Sequence, residues 1–329
     1  MFSAKISAVG CYSPPGVLTN FDLEKLVDTS NQWILERVGI HTRHIADAAV
    51  ATSDMAIEAA RIALENRGID ATSIEAIIVA TVTPDMLFPS TACIVQDKLG
   101  AKGAWGFDLV AACCSFLYAL NNAANMVRTG AHKRVLVIGS DTMSRIIDYT
   151  DRSTCILFGD SAGAFVVERG EEGGPGFIDF MGEVDGSGGQ YLCMPAGGSR
   201  MPPTHETIDQ RMHYVKQEGQ QVFKFAVRKM SEVCRDILDR NNLQPSDISL
   251  MIPHQANRRI ITATAEKLGM PCDRVMINIE KYGNTTSATL PLATRDALEE
   301  GRLKKGDLVL FAAVGAGYTI GASLWRWAF

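Results

Sequence analysis

The feature that most constrains this chain is a set of apolar runs with no polar alternation. Ala76-Ile77-Ile78-Val79-Ala80-Thr81-Val82 and Val135-Leu136-Val137-Ile138 are the first two, and Asp247–Ile252 and Asp307–Ala312 each carry another. Strands of this kind are buried on both faces, as in a largely parallel sheet covered by helices on either side. Helical patterns separate them. Met55, Ala56, Ala59, Ala60, Ile62, Ala63 and Leu64 make one apolar side of a helix over Ser53–Arg67 that Gly68 ends. Met230, Val233, Cys234, Ile237 and Leu238 do the same over Ala226–Asn242. The fold class is α/β.

These elements recur at one offset. Leu64 and Leu238, Ile74 and Ile248, and Val135 and Val309 are each 174 residues apart. That period is far too long for a solenoid. It describes one α/β unit used twice, with a break at the Gly-rich, charged stretch Glu168–Gly176. The expected halves are residues 1–172 and 173–329. In this register the strand ending at Pro253 matches the one ending near Ala80. Asn284, 171 residues after Cys113, is expected to be its counterpart. Met276–Ile279 is expected to be a strand leading into Gly283. A pseudo-twofold packing of the halves would bring Cys113, His254 and Asn284 to one place.

Composition sets the outer bounds. A net charge of −5 is not that of a nucleic-acid binder. The chain holds no apolar run of about 18 residues, so no membrane span is expected. Its first residues alternate like a strand and lack the apolar centre of a signal peptide. The eight cysteines form no CxxC pair and no zinc-like spacing with the six histidines. Reduced thiols, no metal and a cytoplasmic location follow as expectations.

Two of those cysteines stand apart. In Gly106–Leu120 a short strand-like run turns at small residues around Cys113 and Cys114, then continues with Phe116, Leu117 and Leu120 at helical spacing. Unpaired backbone N–H groups and the positive end of the helix dipole at such a turn favour a thiolate. Two buried, inert thiols are the competing reading. Upstream, Ser30 or Thr29 can cap a short helix that places Trp33 and Arg37 on one face, with Gly39 as its stop.

Several segments together resemble β-ketoacyl-acyl-carrier-protein synthase III, of the thiolase-like condensing enzymes. They are Asp108–Leu120, Ile252-Pro253-His254-Gln255-Ala256-Asn257-Arg258-Arg259-Ile260, Lys281–Ala288 and Gly315–Gly321. Asn31–Ile40, Leu87–Ser90 and Asp151–Gly163 support the match, which runs nearly end to end. The resemblance implies a five-layered αβαβα fold of two duplicated halves. It implies that Cys113, sixth counting from Asp108, attacks an acyl-CoA primer. His254 and Asn284 would donate hydrogen bonds to the enolate formed when malonyl-acyl-carrier protein loses carbon dioxide. Backbone N–H groups of Cys113 and Ala316 would form the oxyanion hole. Trp33 and Arg152 would sandwich the adenine of coenzyme A, Arg37 would lie near its phosphates, and Asn257 and Gly219 would line the pantetheine tunnel. Phe88 would reach into the acyl pocket of a homodimer mate. Arg258 and Arg259 would meet the acidic carrier protein, with a plain surface role equally open for Arg258. No cofactor beyond the thioester substrate is implied.

Departures from the family pattern fall at Cys114-Ser115, where a small residue and Gly are usual, and at Ala316, where Gly is usual. An Ala there would resist positive φ. Gly186–Thr207 matches least well and is expected to wall the acyl pocket. A papain-like Cys-His-Asn protease lacks this duplicated plan. A catalytically silent thiolase-like partner would have lost the nucleophile. A condensing enzyme of secondary metabolism, or one joining two long acyl chains, is the nearer alternative.

Overall fold

The computed structural model describes residues 1–329. Eight elements build the first half: β1 (Ser3–Tyr12), α1 (Asn31–Arg37), α2 (Thr52–Arg67), β2 (Ala76–Ala80), α3 (Thr91–Leu99), β3 (Trp105–Leu109), α4 (Ser115–Arg128) and β4 (Arg134–Asp141), closed by β5 (Ser161–Gly170). The second half comprises β6 (Phe177–Val184), α5 (Gly219–Arg240), β7 (Leu250–Pro253), α6 (Arg258–Leu268), α7 (Thr289–Glu299), β8 (Leu308–Gly315) and β9 (Thr319–Arg326). Short strands, short helices (Asn20–Leu23, His205–Asp209 and Ile279–Tyr282) and 3₁₀ turns fill the connections.

The first sheet runs β1-β5-β4-β2-β3 and the second β6-β9-β8-β7. Corresponding strands pair in corresponding ways. Ala76 lies opposite Val135, and Leu250, 174 residues on, opposite Val309, both pairs parallel. The expected strand at Met276–Ile279 is absent: only one bridge, Met251 to Val275, stands where β3 stands in the first sheet. The second sheet is therefore one strand narrower.

The unbroken apolar runs follow from the layering. Ile77, Val79, Leu136 and Ile138 face α2 on the outside of the first sheet. Ala76, Ile78, Val135 and Val137 face a central core. That core holds Phe116, Leu117 and Leu120 of α4, Leu290, Leu292 and Ala297 of α7, and Val309 and Phe311 of the second sheet. Leu310 and Ala312 face outward onto α5 and α6. Each strand residue thus enters one of two dry interfaces, leaving no solvent face to encode. The order is helix, sheet, paired helices, sheet, helix.

The duplicated turns correct one expectation. Cys113 sits in a 3₁₀ turn, Ala112–Cys114, and its counterpart turn is Thr286–Ala288. Ala112 and Thr286 both adopt left-handed backbone, φ 49° and 51°. The residue 174 after Cys113 is therefore Ser287, not Asn284. Ser287 anchors the turn to the other half: its hydroxyl and N–H both donate to the buried carboxylate of Asp141, at 2.5 and 3.1 Å.

Candidate active site

The strand-to-helix turn sets the two cysteines on opposite sides. Cys114 is wholly buried and its thiol donates to the Thr319 carbonyl at 3.2 Å. Cys113 keeps 8% exposure and lines a cavity of about 630 Å³. The turn is tied by Ser115, whose Oγ accepts the Ala111 N–H at 2.7 Å. Burial pushes the Cys113 thiol well above its usual range, with Cys114 and Asp141 adding to it. The backbone N–H groups of Cys113 and Ala316 act on the sulfur in the opposite sense. The thiolate expected from the helix terminus is thus overridden by desolvation, and the resting group is a neutral thiol.

Strand β8 delivers the second wall. Gly315 must approach the turn closely: a Cβ there would lie 2.7 Å from the Cys113 nitrogen and 3.0 Å from that of Cys114. Ala316 is not in left-handed backbone. Positive φ falls instead on Gly317 (72°) and Tyr318 (50°), so the expected strain at Ala316 does not arise. Gly315→Ala is expected to lower turnover at least about tenfold by displacing the N–H groups around the sulfur. It should also cost about 1–3 kcal/mol in a denaturant titration. Unchanged turnover would show that the close approach is unimportant.

His254 follows β7, its N–H bonded to the Ala312 carbonyl at 2.7 Å. Its Nδ1 lies 2.8 Å from Thr289 Oγ1, while Nε2 is buried with no partner in the chain. Burial drives its pKa down to about 3, so the ring is neutral near pH 7. Asn284 is held from the first half: its N–H donates to the Leu157 carbonyl (2.9 Å), and the Gly159 N–H donates to its carbonyl (3.1 Å). Its side-chain Oδ1 accepts the Thr286 N–H at 2.9 Å. That bond assigns the amide, leaving Nδ2 as the free donor. Cys113, His254, Asn284 and Ala316 all line the same cavity.

The proposed coenzyme-binding residues are only partly together. Trp33, Arg37, Gly219 and Asn257 line the cavity. Trp33 is placed by the Ser30 side chain, which accepts its N–H at 3.1 Å. Gly219 opens α5, which starts seven residues before the expected Ala226 because its first turn is polar. Asn257 is committed internally: Oδ1 accepts the Arg259 N–H and Nδ2 donates to the Arg37 carbonyl. Arg152 is outside the lining and lies on the Trp33 ring, 5.1 Å from its centroid, with Nη1 bonded to the Asp28 carbonyl. A base between them would need roughly 7 Å, two carbon contacts of about 3.5 Å, so Arg152 must first swing away. Arg259 lines the cavity and lies over Phe223, whereas Arg258 packs its stem against Gly39. Phe88 is 83% exposed and does not line this cavity. Of Gly186–Thr207, only Leu192 reaches the cavity.

Phe225 and Tyr318 stack 3.5 Å apart in the cavity wall; Phe225 and Thr289 had no signal in the sequence, and Tyr318, though inside the Gly315–Gly321 segment, has no role implied there. No three His, Cys, Asp or Glu side chains converge as metal ligands.

Residues 107–186 match the family model for 3-oxoacyl-[acyl-carrier-protein] synthase III, and 238–327 match its C-terminal model. The chain is 72% identical to the β-ketoacyl-[acyl-carrier-protein] synthase III of Solibacter usitatus, covering all of both chains. The chain belongs to the β-ketoacyl-acyl-carrier-protein synthase III family. The Koribacter versatilis relative is 61% identical over 99% of this chain and 98% of its own. The crystal structure of the Aquifex aeolicus synthase superposes with TM-score 0.91 at 45% identity, over 98% of this chain and all of that one. The fold is accordingly the thiolase-like α/β fold of that family, and the chain is an acyltransferase-type condensing enzyme.

Proposed function

We propose that Cys113, His254 and Asn284 carry a decarboxylative Claisen condensation. The observation that supports it most is one cavity onto which a thiol, a partnerless imidazole nitrogen and an oriented amide N–H all open. The reaction joins an acyl-CoA primer to malonyl-acyl-carrier protein, gives a 3-oxoacyl-acyl-carrier protein and initiates fatty acid biosynthesis. The secondary-metabolic and head-to-head alternatives are disfavoured by the full-length relatives.

The roles follow from the geometry. Cys113 attacks the primer thioester and forms an acyl-enzyme. Because its thiol rests protonated, a base must take the proton, and His254 Nε2 is the unpartnered nitrogen in the cavity. The N–H groups of Cys113 and Ala316 that face the sulfur receive the oxyanion. In the second half-reaction Asn284 Nδ2 and His254 Nε2 meet the enolate oxygen. Trp33, Arg37, Arg152, Gly219 and Asn257 bind coenzyme A, with Arg152 swinging off Trp33. No metal or further cofactor is needed.

We also place a homodimer on the β3 edge. Strand β3 pairs only with β2. Trp105 and Val110 are exposed beside it, as are Leu87 and Phe88. An open apolar edge of this kind invites a second strand, and Phe88 would then reach the mate's acyl pocket. Arg258 and Arg259 receive the acidic carrier protein, Arg259 from the cavity mouth. The chain divides functionally into 1–172, with the nucleophile, and 173–329, with His254 and Asn284. No helix is long and apolar enough to cross a membrane, in keeping with action in the cytoplasm.

The test is intact mass after incubation with acyl-CoAs from acetyl through branched to long chains. One acyl adduct per chain is expected, discharged by malonyl-carrier protein to a 3-oxoacyl product. No adduct with any primer would overturn the assignment.

A further inference from the structure

The two half-reactions ask opposite things of one nitrogen. Acylation needs a bare Nε2 to take the Cys113 proton. Condensation needs Nε2–H to donate to the enolate oxygen. His254 is neutral and buried, so the two states are its two tautomers, each set by what Nδ1 meets. What Nδ1 meets is the Thr289 hydroxyl, 2.8 Å away.

That hydroxyl has one proton and two acceptors within reach. The second is the carbonyl of Thr286, 3.2 Å away. Donating to Thr286, Thr289 accepts from Nδ1–H and leaves Nε2 bare. Donating to Nδ1, it leaves the proton on Nε2. A backbone carbonyl or a carboxylate beside Nδ1 would hold only the first form. Resting on the reaction proposed above, we infer that Thr289 is a positioning residue that partners His254 in both tautomers. A single neutral imidazole thereby serves both half-reactions.

The steps balance. In acylation the thiol proton passes to Nε2 as the Cys113 S–C bond forms and the bond from acyl carbon to coenzyme sulfur breaks. Nε2 then returns that proton to the departing coenzyme A thiolate. In condensation the bond to the malonyl carboxylate breaks, and carbon dioxide leaves its electron pair in the enolate. The enolate carbon bonds to the acyl carbon, and Cys113 leaves as thiolate. The sulfur takes up one proton from water. Between the two, water entering as coenzyme A departs protonates Nε2, and the Nδ1 proton is lost to that water once the Thr289 hydroxyl turns aside, so the ring stays neutral and no net proton is consumed.

Thr289 opens α7 and is itself buried, so the substitutions must be close in shape. Single-turnover acylation would be followed by intact mass with acetyl-CoA. Condensation would be followed by 3-oxoacyl product from pre-acylated enzyme and malonyl-carrier protein. Thr289→Val is expected to slow each half-reaction at least about tenfold, because either tautomer leaves Nδ1 unpaired. Thr289→Ser, which restores the hydroxyl, should stay within about threefold of the parent in both. Should the valine variant not fold, Thr289→Ala takes its place beside the serine. Three outcomes would overturn the inference while leaving the Cys113 adduct of the parent intact: no loss in valine, a loss confined to one half-reaction, or serine as slow as valine.

Discussion

Asn284→Asp is expected to abolish condensation, by at least about 10³-fold, while acyl-adduct formation on Cys113 stays within about threefold. The two side chains have the same shape. Oδ1 accepts the Thr286 N–H at 2.9 Å in the parent, and a carboxylate oxygen would accept it equally well. The change falls on the other atom. Where Nδ2 donates into the cavity, the aspartate would present an anionic, acceptor-only oxygen. An enolate forming beside it would meet repulsion in a water-poor site instead of a donor. Acylation makes no use of that atom, so the loss should split cleanly between half-reactions. Measuring both with the same primer checks this. Condensation within tenfold of the parent would remove Asn284 from the mechanism.

Cys113→Ser is expected to carry no acyl adduct with any primer, whereas Cys114→Ser should still be acylated. The sulfurs are neighbours in sequence but not in environment. Cys113 opens on the cavity and has the Ala316 N–H near it, whereas Cys114 is sealed in the central core and bonded to the Thr319 carbonyl. A serine hydroxyl at 113 is far harder to deprotonate than a thiol already raised by burial, and a buried neutral imidazole is too weak a base for it. The expected loss in turnover is at least about 10³-fold. Serine at 114 keeps a donor for Thr319 but shortens a packed side chain, so the expected effect is a stability loss of about 1 kcal/mol. Intact mass on both variants decides it; an adduct on the Cys113→Ser protein would move the nucleophile elsewhere.

Much of this site was legible in the order of residues. The 174-residue recurrence of buried strands implied two halves because strands covered on both faces lose all alternation, and that pattern survives divergence of detail. The register failed locally, at the turn. The 171-residue spacing makes Asn284 the counterpart of Cys113, yet backbone at Ala112 and Thr286 pairs Cys113 with Ser287. An offset three residues short cannot be judged in a loop, where no periodicity records position. The missing strand near Met276 has a similar cause: a short apolar run fits an edge segment with one bridge as well as a full strand.

Residue order alone carried the α/β duplication, the family signatures and the candidacy of Cys113, His254 and Asn284, because chemistry resides in residue type and the sheet's period is written in hydrophobicity. Only the tertiary structure decided the states of those groups. Desolvation, which depends on everything packed around an atom, keeps the Cys113 thiol protonated and His254 neutral. The hydrogen bond from Thr286 aims the Asn284 amide, and Thr289 faces Nδ1 from 35 residues away. His254 and Thr289 lie in the same half but on different elements, after β7 and at the start of α7, and spacing along the chain carries no information about how closely two packed elements bring their side chains.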